Sequence, residues 1–267
     1  MDVRHWVEAE TVLLRAAKVE PYDLQTLSAL KNVCQKIGER PRIVAASKRL
    51  AMAYVANGQN DRAISEFQWL AKEVPNDKEV TQGLIDLKRG EKKQLPPPPT
   101  MTMSRVGPRV TEGNKRLGQF LIEEHLLKSN DVWLLLHLLG QINADANGKE
   151  PAVPFLFLAS VRNMIPLENL ILALVDRFRM PYVPLDIYDV DHEAAKDLPH
   201  DVTLPHCVLA FDRIGRKTLV ATSNPFDEDV RTIVTRTLKQ NVLWYLGSPA
   251  TILLLVRETS KPAEEKA

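Results

Sequence analysis

The sequence predicts two folded parts of different class, an α-helical repeat domain followed by an α+β domain with helices and a small sheet. Three observations predict this. Up to about residue 90, apolar residues recur only at helical spacing. Residues 91–113, EKKQLPPPPTMTMSRVGPRVTEG, carry no hydrophobic periodicity. Beyond them, helical stretches alternate with short β-type runs such as HCVLAF and KTLVAT. The expected organisation is a helical domain over 1–90, a linker over 91–113, an α+β domain over 114–258 and a disordered tail over 259–267.

In the amino-terminal part, helix breaks are expected at Pro21, Gly38 to Pro41, Gly58 and Pro75. Within residues 44–77, Leu50, Ala51, Tyr54, Gly58, Ala63, Phe67, Leu70 and Pro75 keep a spacing that resembles the tetratricopeptide repeat. In that helical hairpin, small residues permit close helix packing and larger ones fill the contact. Residues 5–37 supply an earlier, degenerate hairpin, and residues 77–90 a closing helix in which Leu84, Ile85 and Leu87 cover the last repeat. The resemblance implies a curved surface for protein partners; a small helical bundle without a ligand is the plainer alternative. Pro96 to Pro99 favour an extended polyproline spacer, with a ligand for an aromatic groove as the second reading.

In the carboxy-terminal part, residues 116–126, 130–140 and 166–178 are apolar at helical spacing, with Asn114 as an N-cap ahead of the first. The runs HCVLAF and KTLVAT flank the turn signal DRIGR. SNPFDEDVRTIVTRTL marks a helix start, with Asn224 as cap, Pro225 at an early position and Asp227, Glu228 and Asp229 facing the positive helix end. NVLWYLG returns as a strand.

Composition narrows the function class. The chain has 267 residues, 45% of them hydrophobic, and a formal charge of +1, so nucleic acid is not a partner through bulk charge. Cys34 and Cys207, one in each half, read as buried thiols compatible with a reducing compartment. The opening MDVRHWVEAE lacks a signal-peptide core, and no apolar run reaches membrane-spanning length. The expectation is a cytoplasmic protein without direct membrane insertion.

The stretch from Arg116 to about Glu258 resembles the amino-terminal domain of type II secretion and type IV pilus assembly ATPases. The residues that carry this are RLGQFLIEEHLL at 116–127, MPYVPLD at 180–186, DLPHDVTLPHCVLAF at 197–211 and LVATSNPFDEDV at 219–230. They follow the family's order of a Pro-Tyr strand, a Leu-Pro followed by a strand, and a Val-Ala strand leading into Pro-x-Asp. The resemblance implies docking to membrane-associated components of a secretion or pilus machine.

Some members of that family bind cyclic di-GMP through two tandem copies of a motif that begins Arg-Leu-Gly. The resemblance therefore names Arg116, Leu117, Gly118, Leu121 and Ile122 as candidate ligand residues. Arginine would meet phosphate or guanine while glycine lets backbone approach the base. The first copy departs at His125, where glycine is expected, and at Leu139, where glutamine is expected. The second copy aligns near PFLFLASVRNMIPLENLILALVDR, with Pro154, Phe155 and Leu156 in place of Arg-Leu-Gly and Asn163 in place of glycine. Residues 116–267 hold 16 Lys and Arg against 20 Asp and Glu, a net −4 that disfavours a dianion. Gly118 then reads as a helix-crossing residue and Arg116 as a solvated side chain.

No catalytic set or metal site is expected. Gly148-Lys149 is followed by Glu150, and Asn143 stands where a phosphate loop needs glycine. His200, His206 and Cys207 lack a second ligand pair at metal spacing. His125 and His137 read as packed or surface imidazoles. The reading is a non-catalytic adaptor joining protein partners without a cofactor; the alternative is a cyclic di-GMP receptor.

Overall fold

The structure, a computed structural model, describes residues 3–89, 110–144 and 151–260, and divides into two compact units at Ser104 and Arg105. The proline run Pro96 to Pro99 and the tail beyond Ser260 lie outside the described residues. Among the described residues, no helix is long and apolar enough to cross a membrane.

The first unit is helical: α1 (Val3–Val19), α2 (Leu24–Ile37), α3 (Arg40–Ala56), α4 (Asn60–Glu73) and α5 (Lys78–Lys88). Each break has a local cause. Asp23 caps α2 by accepting from the Thr26 amide at 2.7 Å. Gly38 and Gly58 take left-handed φ values of 83° and 70°, which suit glycine and end α2 and α3. Asp77 caps α5 through the amides of Glu79 and Val80. Helices pack mainly on their sequence neighbours. Ala51, Phe67, Leu70 and Val80 form a buried core between α3, α4 and α5, with Leu84 and Leu87 packed against it. Ile85 departs from its expected covering role: it is 38% exposed, because its position on α5 turns it away from α4. The contact the pattern did not reveal is Gly83, where an added Cβ would stand 2.9 Å from the Phe67 ring.

Three ion pairs each skip one helix. Glu10 of α1 meets Arg42 of α3, Lys31 of α2 meets Glu66 of α4, and Lys48 of α3 meets Asp77 at the start of α5. Alternate helices therefore run as two rows, joined along each row by charge and across rows by apolar packing. The Cys34 thiol donates to Glu10 at 3.6 Å; burial and then the Glu10 carboxylate push its pKa up to about 12. Cys34 is an inert packed thiol at neutral pH.

The second unit comprises α6 (Glu112–Glu123), α7 (Ser129–Ala144), α8 (Phe155–Val161), α9 (Leu167–Phe178), β1 (Tyr182–Val183), α10 (His192–Ala195), α11 (His200–His206), β2 (Leu209–Ile214), β3 (Lys217–Thr222), α12 (Glu228–Leu238), β4 (Asn241–Gly247) and α13 (Pro249–Ser260). The sheet has the order β1-β4-β3-β2, with β4 parallel to both β1 and β3 and β2 antiparallel to β3. Parallel pairing of β3 and β4 needs a crossover, and α12 provides it. Val208, Ala210, Val220, Val230 and Val234 bury the contact of α12 with the sheet.

Several expectations are corrected here. Helix α6 begins at Glu112 under a Thr111 cap, not at an Asn114 cap, so the end of the expected linker is helical. Thr111 wins because its side chain accepts the Asn114 amide at 3.1 Å. The α12 cap is Asp227, which accepts the Val230 amide, whereas Asn224 closes a tight turn on the Phe226 amide. The segment DRIGR is mostly strand: only Gly215 and Arg216 form the β2–β3 turn, and Gly215 has φ +61°. Helix α13 runs two residues past the expected domain end at 258.

Candidate functional site

The candidate ligand residues lie on α6, whose amphipathic pattern buries Leu117 and Leu121 at 1% and 0% exposure. Gly118 sits where α6 crosses α7. A Cβ there would stand 2.6 Å from Val132 Cγ1 and 3.7 Å from Leu136 Cδ1, so the crossing itself excludes a side chain. Ile122 is half-buried. Arg116 alone of the five faces solvent, and its Nη1 meets Glu228 Oε1 at 2.9 Å with both side chains at least half exposed. A pair this exposed contributes about 0–1 kcal/mol. It nevertheless occupies the guanidinium with a carboxylate from the start of α12.

The second copy is a structural repeat of the first. His125 and Asn163 both adopt left-handed backbone, at φ 57° and 55°. The amide of Leu126 reaches back to Leu121 O at 2.9 Å, and that of Met164, in the same place, to Ala159 O at 3.1 Å. The His125 amide bonds Ile122 O as the Asn163 amide bonds Ser160 O. Thus α6 and α7 correspond to α8 and α9, and the positions where the motif expects glycine keep a glycine-like conformation after losing glycine. Histidine and asparagine are among the non-glycine residues that tolerate it. At the start of the second copy Pro154 caps α8 and replaces the arginine, while Phe155 and Leu156 are both 2% exposed. The backbone frame is duplicated; the polar chemistry is not. Replacing His125 by glycine is expected to raise stability by about 0.5–1 kcal/mol, since it removes left-handed strain from a side chain that is exposed. Thermal denaturation checks this, and a lowered midpoint would contradict it.

A denser polar node lies at the other end of α6, where sequence reasoning had placed a linker. Thr111 donates to Asp227 Oδ2 at 2.9 Å, joining the caps of α6 and α12. Asn224 Nδ2 donates to Asn114 Oδ1 at 3.1 Å. Gly113 is pressed so closely on Asp227 that an added Cβ would lie 2.6 Å from its Cα. A cavity of about 40 Å³ opens among Thr111, Asn114, His206, Ser223, Asn224 and Asp227. Burial lowers the His206 pKa, opposed by Asp227 and Asp229. Since Asp227 already fills the positive end of α12, the cavity is unsuited to an anion. The signal for this node was Thr111 ahead of an acidic residue, obscured by neighbouring prolines and glycines. Of the other candidates, His125 and His200 are exposed, His137 stacks on Trp133 with ring centroids 5.6 Å apart, and Cys207 is buried. Among the described residues, no cluster of three or more His, Cys, Asp or Glu could hold a metal.

These elements, from the β1 strand through the β3–α12–β4 crossover to α13, are the part of the chain that comparison with known families recognises. Residues 178–266 match the MshEN domain. The matched region, a third of the chain, takes in the segments MPYVPLD, DLPHDVTLPHCVLAF and LVATSNPFDEDV that carry the resemblance to the N-terminal domain of type II secretion and type IV pilus ATPases. The MshEN region includes Asp227 and Glu228 but starts at the end of α9, so the Arg-Leu-Gly segment and its degenerate repeat precede it. The solved structure of MshE with cdg is 20% identical, covering 54% of this chain and 98% of that chain at a TM-score of 0.38. No curated protein matches the chain.

Proposed function

We propose that this chain is a non-catalytic adaptor in a type II secretion or type IV pilus-like system, its MshEN region docking one protein and its helical unit another. The helical unit is read as tetratricopeptide-like, and the 91–113 segment as the spacer between two binding units. The observation that carries the reading is the state of the first Arg-Leu-Gly. Arg116 is bridged to Glu228, Leu117 and Leu121 are core, and Gly118 is consumed by the α6–α7 crossing. Support for the helical half comes from the three ion pairs that join alternate helices, the arrangement expected of stacked hairpins.

A cyclic di-GMP receptor is the second reading, favoured by the intact Arg116-Leu117-Gly118 and the duplicated turns at His125 and Asn163. The adaptor reading is tested by capture with fragments 1–90 and 110–267. Each fragment is expected to retain a different partner set and the full chain to link both; identical sets, or none for either fragment, would sink it.

A further inference from the structure

We propose that the β2–β3 turn and the C-terminal end of α12 form a docking surface for an anionic membrane, touched from outside without insertion of a segment. Arg216 lies in the turn, Lys217 opens β3, and Lys239 is the left-handed cap of α12. All three are exposed. Arg216 and Lys239 line one open cleft with Gly215, Thr235, Gln240 and Asn241, a lining that contains no carboxylate. Lys217 stands beside it, in register with Asn241 across β3 and β4.

Several other cations of this unit are ion-paired. Lys115, Arg116, Lys196 and Arg213 each hold a carboxylate. Arg216, Lys217 and Lys239 have no such partner among the described residues. A helix C-terminus draws cations, which accounts for Lys239, but Arg216 and Lys217 sit on a hairpin where no helix end needs them.

The shape selects the partner. Ile214, the residue before the turn, is 59% exposed, and the space beside Gly215 is open to at least 4 Å. A protruding turn that offers one apolar side chain among cations suits an interfacial lipid layer. A protein partner of comparable strength would require a pocket for an anchoring side chain, and the lining of this cleft is polar. The unit as a whole, residues 105–267, holds 19 Lys and Arg against 21 Asp and Glu, a net −2, so a membrane of negative charge would favour approach by this cationic end.

The test uses the full chain with vesicles of mixed phosphatidylglycerol and phosphatidylcholine, and with vesicles of phosphatidylcholine alone, in co-sedimentation at low and high salt. Binding is expected to the anionic vesicles only and to fall with salt. Each cation neutralised is expected to weaken it about fivefold. The triple change Arg216→Glu, Lys217→Glu, Lys239→Glu is expected to abolish it, with an unchanged melting midpoint, and Ile214→Ser to weaken it less. Arg216→Gln serves as a milder variant should the triple change disturb folding. Lys128→Glu, an exposed cation on the α6–α7 turn, is the control and should leave binding intact. Absence of binding to anionic vesicles, equal loss in the control, or capture by soluble polyglutamate with no vesicle binding would overturn the proposal.

Discussion

Gly113→Ala is expected to destabilise the second unit by about 3 kcal/mol, the upper part of the range for overpacking a rigid site. The reason is what the new methyl group would meet. It would lie 2.6 Å from Asp227 Cα and 2.7 Å from its Cβ, atoms that cannot swing aside because Asp227 caps α12 and bonds Thr111. Relief requires α6 to move away from α12, which lengthens the Thr111–Asp227 hydrogen bond and exposes Leu117 and Phe120. Thr111→Val removes that hydrogen bond to a charged acceptor together with the cap on the Asn114 amide, and should cost a comparable amount, about 2–4 kcal/mol. Urea denaturation of both variants checks these losses; a Gly113→Ala midpoint equal to wild type would remove the close contact on which the joint is built.

Phe67→Ala is expected to cost about 3–5 kcal/mol in the helical unit. Phe67 is 4% exposed and touches the groups of α3, α4 and α5 that form one core. Its ring also faces Gly83, where a Cβ would stand 2.9 Å away, so the size of one residue sets the smallness of the other. Gly83→Ala alone presses a methyl against the ring edge. In the Phe67→Ala background the same change enters the vacated space and gains helix propensity. The double variant should therefore be more stable than the sum of the two single losses predicts. Additive losses would mean that α5 does not cross α4 at this point.

Helical breaks at Gly38, Gly58 and Pro75 were legible because a chain turning back on itself needs left-handed or helix-breaking residues, and few residue types serve. The strands KTLVAT and NVLWYLG were legible for a similar reason: a parallel pair buried on the sheet reads as a β-branched and aromatic run. The Thr111 cap was not, since five prolines and Gly107 in the segment on its amino-terminal side mask a helix that owes its start to a tertiary contact with Asp227. Asn224 misled because asparagine serves a turn as readily as a cap, and Asp227 was better placed to reach the Val230 amide. Gly118 was recognised as unusual in a helix; which neighbour required it became clear only with Val132 in place. The turn at Asn163 was half legible: the alignment of the second copy placed Asn163 where glycine is expected, but that its backbone stays left-handed without glycine is set by hydrogen bonds no residue type announces.

The claim that the first Arg-Leu-Gly holds the fold together rather than a ligand is tested most directly by isothermal titration of the full chain with cyclic di-GMP. No saturable heat is expected at micromolar concentrations, because Arg116 is paired with Glu228 and Pro154 offers no second guanidinium. Saturable binding that Arg116→Ala weakens ten- to a hundredfold in a folded protein, the loss of a charged contact of about 1.5–3 kcal/mol, would contradict the account and make the chain a receptor.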